Sequence, residues 1–326
     1  MADKDYKAFI VEGEAREPQI IDNISKVFFA HNNFKIITLP AGENIYMLWK
    51  KLKEDDFETD IIEVLRESHD YIAEQLTGLS RDDFSEIYLF FDYDTHQTNM
   101  GKEDDEDAVA KMLKSFDNET ESGKLYISYP MVEALRDYKP GICGEKEECY
   151  VAVGDMIHYK NMSSDRSANP QFKSYHYEIW KDIINVFAMK VSCLFGMVDT
   201  MEYGKYSEIV NPYEIYVLEE MESEKDRVFV LSAFPEFLVD YYGVKLWKTC
   251  AKQKEIYGKS KAVNVEKKPA HSRVFKHESA GWFLSLLFHP LFSRDFPYVC
   301  PMGTISSFFF IFCRSAGKVI YWYGRY

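Results

Sequence analysis

The sequence predicts an α/β fold, with a mostly parallel sheet covered by helices on both faces and a mostly helical second domain after it. Two observations support this prediction. Short apolar runs alternate with helical periodicities through the first part of the chain, which is the pattern of parallel strands joined by crossover helices. The chain also has 326 residues, of which 46% are hydrophobic, and this suits two modules of about 100 to 200 residues each.

The elements of the N-terminal region follow one another in a regular order. Strands are indicated by short apolar runs, and helices by apolar residues that return every three or four positions. The predicted strands are 7–11, 34–39, 86–91 and 125–128. The predicted helices are 18–29, a stretch opened by Gly42, 60–76, 106–116, and a stretch opened by Pro130. In the stretch opened by Gly42, one stripe holds Ile45, Leu48, Trp49 and Leu52. In sheets of this kind, ligands bind beyond the carboxyl ends of the strands.

The C-terminal half contains fewer motifs. A long helix is predicted over 169–195, and 206–242 is predicted to hold a pair of helices split at Pro235. We expect three parts: 1–142 as the α/β domain, 143–268 as the mostly helical domain ending in a basic segment, and 269–326 as an aromatic-rich tail. From residue 269 onward the tail has six Lys and Arg and only two acids, whereas the chain as a whole has a net charge of −14.

Acidic side chains recur where the predicted strands end. Glu12 follows the first strand, with Gly13 in the turn and Glu17 at the start of the next helix. The 86–91 strand leads into Asp92, Asp94 and His96, and the 125–128 strand leads into Glu133, about one helical turn beyond its tip. In extended chain, residues i and i+2 point to the same side, so Asp92 and Asp94 can share one ion.

These carboxylates predict a metal site. Clustered carboxylates repel each other unless a cation neutralises them, and oxygen-only ligands suit Mg²⁺ or Mn²⁺. Taken singly, a Glu-Gly turn is also typical of an ordinary helix start, and an Asp-x-Asp of a solvated loop. The chain contains no G-x-S-x-G elbow, no Walker A loop and no glycine-rich dinucleotide motif after the first strand, so those enzyme classes lack their motifs.

The stretches EGEAREP, FDYDTH and SYPMVE together resemble the TOPRIM domain, the metal-binding α/β unit of topoisomerases, bacterial primases and OLD-type nucleases. More narrowly, they resemble the TOPRIM-type proteins of bacterial anti-phage systems, both the RloB-like kind and the toxin half of the PARIS system. The resemblance covers about residues 5 to 140. It implies a nuclease effector that cleaves DNA or RNA in a bacterial cell, controlled by an ABC-type ATPase encoded alongside it.

The resemblance also implies roles for individual residues. Glu12, Asp92 and Asp94 would hold Mg²⁺ or Mn²⁺ around the scissile phosphate, and Glu17 and Glu133 match supporting positions less closely. His96 has a side chain suited to protonating the leaving group, because its ordinary pKa lies near neutrality, but it is equally well explained as a loop histidine. Nothing marks a nucleophilic tyrosine, so metal-dependent phosphodiester cleavage is expected rather than strand passage.

A net charge of −14 makes the molecule as a whole repel nucleic acid. Residues 245–276 are the exception, with ten Lys and Arg and two acids. This basic segment predicts phosphate contacts, and the residues expected to make them are Lys245, Lys248, Lys252, Lys254 and Lys259. The alternative is a solvated helix with a basic face.

Two classes of function therefore stay open. The first is the metal-dependent nuclease, and the second is a non-catalytic module of the same shape that docks or inhibits a protein partner through its acidic surface. The aromatic tail admits three interpretations: a buried element, a partner-docking surface, or sequence of altered reading frame. Irregularly spaced cysteines and apolar runs shorter than about 20 residues predict a reduced, cytoplasmic protein without membrane contact, and self-association into a homo-oligomer is left open.

Overall fold

The computed structural model describes residues 6–54, 57–93, 108–138, 149–167 and 169–249, together with the backbone of 308–315 and 318–325. The chain divides into two compact units, Met1–Asn264 and Val265–Tyr326. In the second unit, strands Phe308–Ser315 and Lys318–Arg325 form an antiparallel hairpin. None of the described helices has the length and apolar character needed to cross a membrane.

The first unit is built on a five-stranded sheet, and the predicted α/β fold is confirmed. Its strands are β1 (Tyr6–Val11), β2 (Lys35–Pro40), β3 (Phe84–Asp92), β4 (Asp117–Asn118) and β5 (Gly123–Ser128). Their order is β2-β1-β3-β5-β4, in which every pairing is parallel except that of the short edge strand β4 with β5. The central strands β1 and β3 are almost entirely buried, as expected when both faces of a sheet are covered.

Helices connect these strands and cover the sheet. The helices of the N-terminal region are α1 (Arg16–Phe28), α2 (Ile45–Glu54), α3 (Ile61–Ser68), α4 (Asp70–Gln75) and α5 (Ala108–Ser115), and a 3₁₀ helix spans Val132–Arg136. The stripe predicted for α2 is confirmed, because all four of its apolar residues are buried.

The remaining elements of the first unit alternate helices with two short strands. They are β6 (Tyr150–Ala152), α6 (Met156–Arg166), α7 (Tyr177–Leu194), α8 (Tyr203–Ile209), α9 (Pro212–Ser223), β7 (Arg227–Phe229) and α10 (Ala233–Tyr242). Strands β6 and β7 pair antiparallel with each other. The predicted domain boundary after residue 142 falls within 139–148, outside the described residues.

Several predicted helices differ from the observed ones. The helix predicted over 60–76 is broken at His69, whose backbone is extended, so that α3 ends at Ser68 and α4 begins at Asp70. In α4, Gln75 Nε2 donates to the Thr38 carbonyl of β2 at 3.2 Å. The stretch opened by Pro130 is a 3₁₀ helix rather than an α-helix. Pro235 does not split two helices but lies in the first turn of α10, where a missing N–H costs no intrahelical bond.

Helix α10 packs on the sheet through Phe237. This side chain is fully buried, and its ring centroid lies 5.4 Å from that of Phe9 on β1 and 4.8 Å and 5.5 Å from those of Tyr88 and Phe90 on β3. Aromatic side chains bury large apolar areas, so this cluster joins α10 firmly to the central strands. Residues past 142 therefore contribute to the core of the same sheet.

A polar strip also lies between α10 and β5, and we call it the buried seam. It consists of Lys124, Tyr126 and Ser128 on alternate positions of β5, beside Ser232 at the N-cap of α10 and Glu236 and Asp240 one and two helical turns further on. Lys124 Nζ donates to Asp240 Oδ2 at 2.8 Å, and the Tyr126 hydroxyl donates to the same oxygen at 3.1 Å. Glu236 is 2% exposed, and its Oε1 has no hydrogen-bond partner among the described residues.

Helices α1 and α7 are joined by a buried hydrogen-bond pair. Trp180 Nε1 on α7 donates to Asn23 Oδ1 on α1 at 2.8 Å, and Asn23 Nδ2 donates to the Tyr175 carbonyl at 2.8 Å. Asn23 and Trp180 are both buried. Because a buried polar group is costly when unpaired, this arrangement fixes α1 against α7.

Candidate functional site at the carboxyl edge of the sheet

Glu12 and Asp92 come together at the carboxyl ends of two neighbouring parallel strands. The register pairs Val11 of β1 with Phe90 of β3, and the Glu12 N–H donates to the Phe90 carbonyl at 3.2 Å. The Glu12 side chain then turns to the end of β3, where its Oε2 accepts from the Asp92 N–H at 3.0 Å. The structure thus places these two predicted site residues in direct contact.

The Asp92 carboxyl is the electrostatic centre of this edge. Burial raises the pKa of this carboxyl well above its ordinary value, and the charges of Glu12 and Glu17 raise the pKa further. A hydrogen bond from the Val132 backbone and the nearby charge of Arg16 act in the opposite direction on that pKa. An acid in these surroundings holds its proton until a positive charge compensates its ionised form.

Glu17 lies against the turn that follows β1. It is buried at the start of α1, and its Oε1 accepts from the Gly13 N–H at 3.2 Å. A Cβ added at Gly13 would come within 2.8 Å of Glu17 Oε2. The glycine of the Glu-Gly pair is therefore explained by close approach of the Glu17 carboxylate.

Glu133 reaches the same edge from the 3₁₀ helix. It is 2% exposed, and it forms an ion pair through Oε1 with Arg16 Nη1 at the first position of α1. The Arg16 side chain is 36% exposed. We refer to Glu12, Glu17, Asp92, Glu133 and Arg16 together as the carboxylate edge.

Tyr93, the middle residue of the Asp-x-Asp motif, is anchored to α9. Its hydroxyl donates to Glu220 Oε1 at 2.5 Å, its N–H donates to the Ser128 carbonyl at 3.0 Å, and its ring centroid lies 5.1 Å from that of Tyr129. Burial raises the pKa of the Tyr93 hydroxyl well above its ordinary value, with a further contribution from Glu220. These contacts hold the backbone in place directly after Asp92.

The other predicted site residues have different outcomes. Asp94 and His96, and Lys252, Lys254 and Lys259 of the basic segment, lie outside the described residues. Lys245 and Lys248 follow α10 and are exposed, on either side of the buried Leu246 and Trp247. Their role in phosphate contact stays a prediction.

The fit of this edge to a divalent cation rests on two carboxylates. Among the described residues, no group of three or more His, Cys, Asp and Glu side chains is arranged to hold a metal ion. Glu12 and Asp92 nevertheless offer two carboxylates at neighbouring strand ends, and the pKa of Asp92 is raised first by burial and then by the charge of Glu12, a repulsion that a cation would relieve. The pair fits Mg²⁺ or Mn²⁺ as a partial ligand set, to which Asp94 would add.

Arg16 of the carboxylate edge and the nearby contact between Tyr93 and Glu220 escaped the sequence prediction. Arg16 stands inside EGEAREP and was the available signal, since it is a cation among three acids. The contact between Tyr93 and Glu220 had no such signal, because 127 positions separate the two residues.

Comparison with known proteins does not assign this chain to a group: no family model, no curated protein and no solved structure matches it.

Proposed function

We propose that the chain is a metal-dependent nuclease that cleaves phosphodiester bonds in DNA or RNA. The observation that supports this proposal most directly is the contact between Glu12 and Asp92 at the carboxyl ends of two parallel strands. In open α/β sheets this is the edge where ligands bind. An oxygen-only pair with a raised Asp92 pKa is suited to a hard divalent cation.

In this proposal the cation is held by Glu12 and Asp92, with Asp94 as a further ligand. When bound, Mg²⁺ or Mn²⁺ supplies positive charge that activates water and stabilises charge developing on the phosphate. Glu12 keeps the end of β3 in place by accepting the Asp92 N–H, and Glu17 does the same for the Gly13 turn. His96 is proposed to give a proton to the leaving oxygen.

The cellular role is proposed from the resemblance to anti-phage TOPRIM proteins. A chain with a net charge of −14 does not concentrate nucleic acid by its overall field. We therefore propose that a partner, by resemblance an ABC-type ATPase, delivers or gates the substrate in the bacterial cytoplasm. The basic segment, beginning at Lys245 and Lys248, is proposed to supply phosphate contacts outside the carboxylate edge.

Calorimetric titration with Mn²⁺ tests the metal centre without requiring activity. Asp92→Asn and Glu12→Gln keep the side-chain shape but remove charge, and each is expected to weaken binding by at least about 100-fold. Glu14→Gln is the matched control, because Glu14 is exposed in the same turn. Unchanged Mn²⁺ binding in the folded Asp92→Asn and Glu12→Gln proteins would end the metal proposal.

Co-expression with the ATPase encoded beside the gene tests the effector role. The wild-type chain is expected to become toxic when the phage trigger is supplied, and Glu12→Gln is expected to abolish that toxicity at equal protein level. Glu14→Gln should remain as toxic as wild type. A Glu12→Gln protein that is folded and fully toxic would contradict catalysis at this edge.

One observation favours the second candidate, a docking module without catalysis. Each described carboxylate of this edge already has a protein partner, and no three of them are arranged to hold a metal. If Mn²⁺ neither binds nor raises the melting temperature, this candidate takes the place of the nuclease.

A further inference from the structure

We propose that Arg16 binds a phosphate oxygen of the substrate at the carboxylate edge, so that the site recognises a phosphodiester oxyanion directly. This inference rests on the proposed nuclease function and adds a residue to it. Arg16 is the first residue of α1, directly after the turn that carries Glu12 and Gly13. It therefore stands beside the carboxylates rather than on a distant basic surface.

The charge balance of the edge calls for such a residue. Glu12, Glu17, Asp92 and Glu133 are four acids on the same edge of the sheet, and they repel an approaching phosphate. Two positive charges on one bound cation leave this group of acids negative overall. Arg16 supplies a fixed positive charge within the group, because it pairs with Glu133 and its field reaches Asp92.

The exposure of the ion pair shows which partner is free to contact a ligand. Glu133 is 2% exposed, whereas 36% of the Arg16 side chain is exposed. A guanidinium has five N–H donors in a planar fork, and a carboxylate accepts two of them in its best geometry. Glu133 thus orients the Arg16 guanidinium from its buried side. The exposed side of the guanidinium keeps N–H donors that match two oxygens of a phosphate.

The arrangement predicts separate effects on metal and on phosphate. Asp92 and Glu12 serve the cation, and Arg16 serves the substrate oxyanion. Removing Arg16 takes a positive charge away from the carboxylates, so Mn²⁺ should bind at least as tightly as before. Removing Glu133 should leave Arg16 charged but less well oriented, with a smaller loss of phosphate contact than removing Arg16 itself.

The test uses the full chain with Arg16→Gln, Arg16→Lys and the double variant Arg16→Gln/Glu133→Gln, which leaves no unpaired buried acid. Lys26→Gln is the matched control, since Lys26 lies on the same helix and is 70% exposed. Mn²⁺ binding is measured by calorimetry. Binding of fluorescein-labelled single-stranded DNA and RNA oligonucleotides is measured by anisotropy over a salt series with Ca²⁺ in place of Mn²⁺, and cleavage of the same oligonucleotides is measured with Mn²⁺.

Arg16→Gln is expected to keep Mn²⁺ binding while oligonucleotide affinity falls about 10- to 100-fold. The slope of log affinity against log salt should drop by about 0.7, as for one lost phosphate contact on a single strand. Arg16→Lys should fall between wild type and Arg16→Gln, because a lysine keeps the charge but loses the fork. The double variant should lose affinity like Arg16→Gln, and Lys26→Gln should match wild type.

Two outcomes separate this inference from the proposed function. If the wild type cleaves with Mn²⁺ while Arg16→Gln and the double variant keep its affinity, salt slope and cleavage rate, Arg16 has no substrate role. If the wild type shows no Mn²⁺-dependent cleavage in the presence of its partner, the nuclease proposal fails, and an unchanged salt slope in Arg16→Gln then overturns the phosphate contact as well.

Discussion

The carboxylate edge and the buried seam both place acids against the same sheet, but they surround those acids differently. At the edge, Asp92 receives the Val132 N–H, Glu17 receives the Gly13 N–H, and Glu133 is paired with Arg16. In the seam, Glu236 keeps an oxygen without a hydrogen-bond partner among the described residues. Burial raises the pKa of Glu236 well above its ordinary value, and Asp240 raises it further.

This difference lies in how far each place compensates the charge of its acids. Hydrogen bonds from backbone N–H groups and a neighbouring guanidinium favour the ionised form of a carboxylate, so at the edge they offset part of the rise in the pKa of Asp92 that burial, Glu12 and Glu17 cause. The seam instead favours a neutral Glu236, because it is buried and its nearest cation, Lys124, is already bonded to Asp240. The edge therefore supplies more compensation for the charge of its acids than the seam supplies for Glu236.

The comparison depends first on α10 staying packed on the sheet, and Phe237→Ala tests that packing. Removing this buried ring should lower the free energy of unfolding by about 3 to 5 kcal/mol, through lost burial and a cavity between α10, β1 and β3. Urea denaturation measures the change. Val244→Ala is the control, because Val244 is 40% exposed and should change stability by less than about 0.5 kcal/mol. A loss under about 1 kcal/mol for Phe237→Ala would mean that α10 packs only weakly on β1 and β3.

Glu236→Gln tests the neutral acid of the seam. Since the folded-state pKa of Glu236 is raised, the folded chain keeps a proton that the unfolded chain releases near 4.5, and stability falls as pH rises from there towards the raised pKa. This group contributes a slope of up to about 1.4 kcal/mol per pH unit. The amide should remove that part of the slope in urea denaturation between pH 5 and 8.

The matched control for the seam is Glu208→Gln, because the side chain of Glu208 is 69% exposed. It should leave the dependence of stability on pH as it is in the wild type. An identical slope in Glu236→Gln and wild type would show that Glu236 is ionised in the folded protein and that the contrast with the edge does not hold.

Asp92→Asn tests the buried acid of the carboxylate edge. Without divalent ions it should raise the free energy of unfolding at pH 7 by about 1 kcal/mol, because it removes a carboxyl whose ionised form is disfavoured by burial and by the charges of Glu12 and Glu17. With saturating Mn²⁺ the wild type should become the more stable of the two proteins, since only the wild type gains binding energy. Asp22→Asn, at a side chain 62% exposed, is the control. Equal stabilisation of wild type and Asp92→Asn by Mn²⁺ would place the ion elsewhere.

Gly13→Ala is expected to have the smallest effect, a loss of about 0.5 to 1.5 kcal/mol, because the new Cβ crowds Glu17. The loss should nearly disappear when Glu17 is also changed to Ala, which a double-mutant cycle by thermal denaturation would show as coupling. Gly204→Ala in α8 is the control: nothing lies within 4 Å of its added Cβ, so it should keep or gain stability, as alanine does in a helix. Additive effects at Gly13 and Glu17 would show that the cost of a side chain at position 13 does not come from the Glu17 carboxylate.

The sequence predicted the sheet well because its central strands are continuous apolar runs between charged turns. β4, β6 and β7 escaped, because two- and three-residue pairings leave no periodicity to read. The buried position of Glu236 was also beyond reach, since a Glu on a helix is ordinarily exposed and only the packing of α10 on β5 places it inside. Glu12 and Asp92 were predictable because strand ends of one parallel sheet meet at one edge.

The bond between Asn23 and Trp180 gives the carboxylate edge an optical reporter. Helix α1 carries Arg16 and Glu17 in its first turn and Asn23 further along, and Asn23 accepts the indole N–H of a fully buried tryptophan. The emission of an indole depends on the polarity and hydrogen bonding around its ring nitrogen. A ligand that displaces α1 at the edge therefore shifts the fluorescence of Trp180, and a ligand that leaves α1 in place does not.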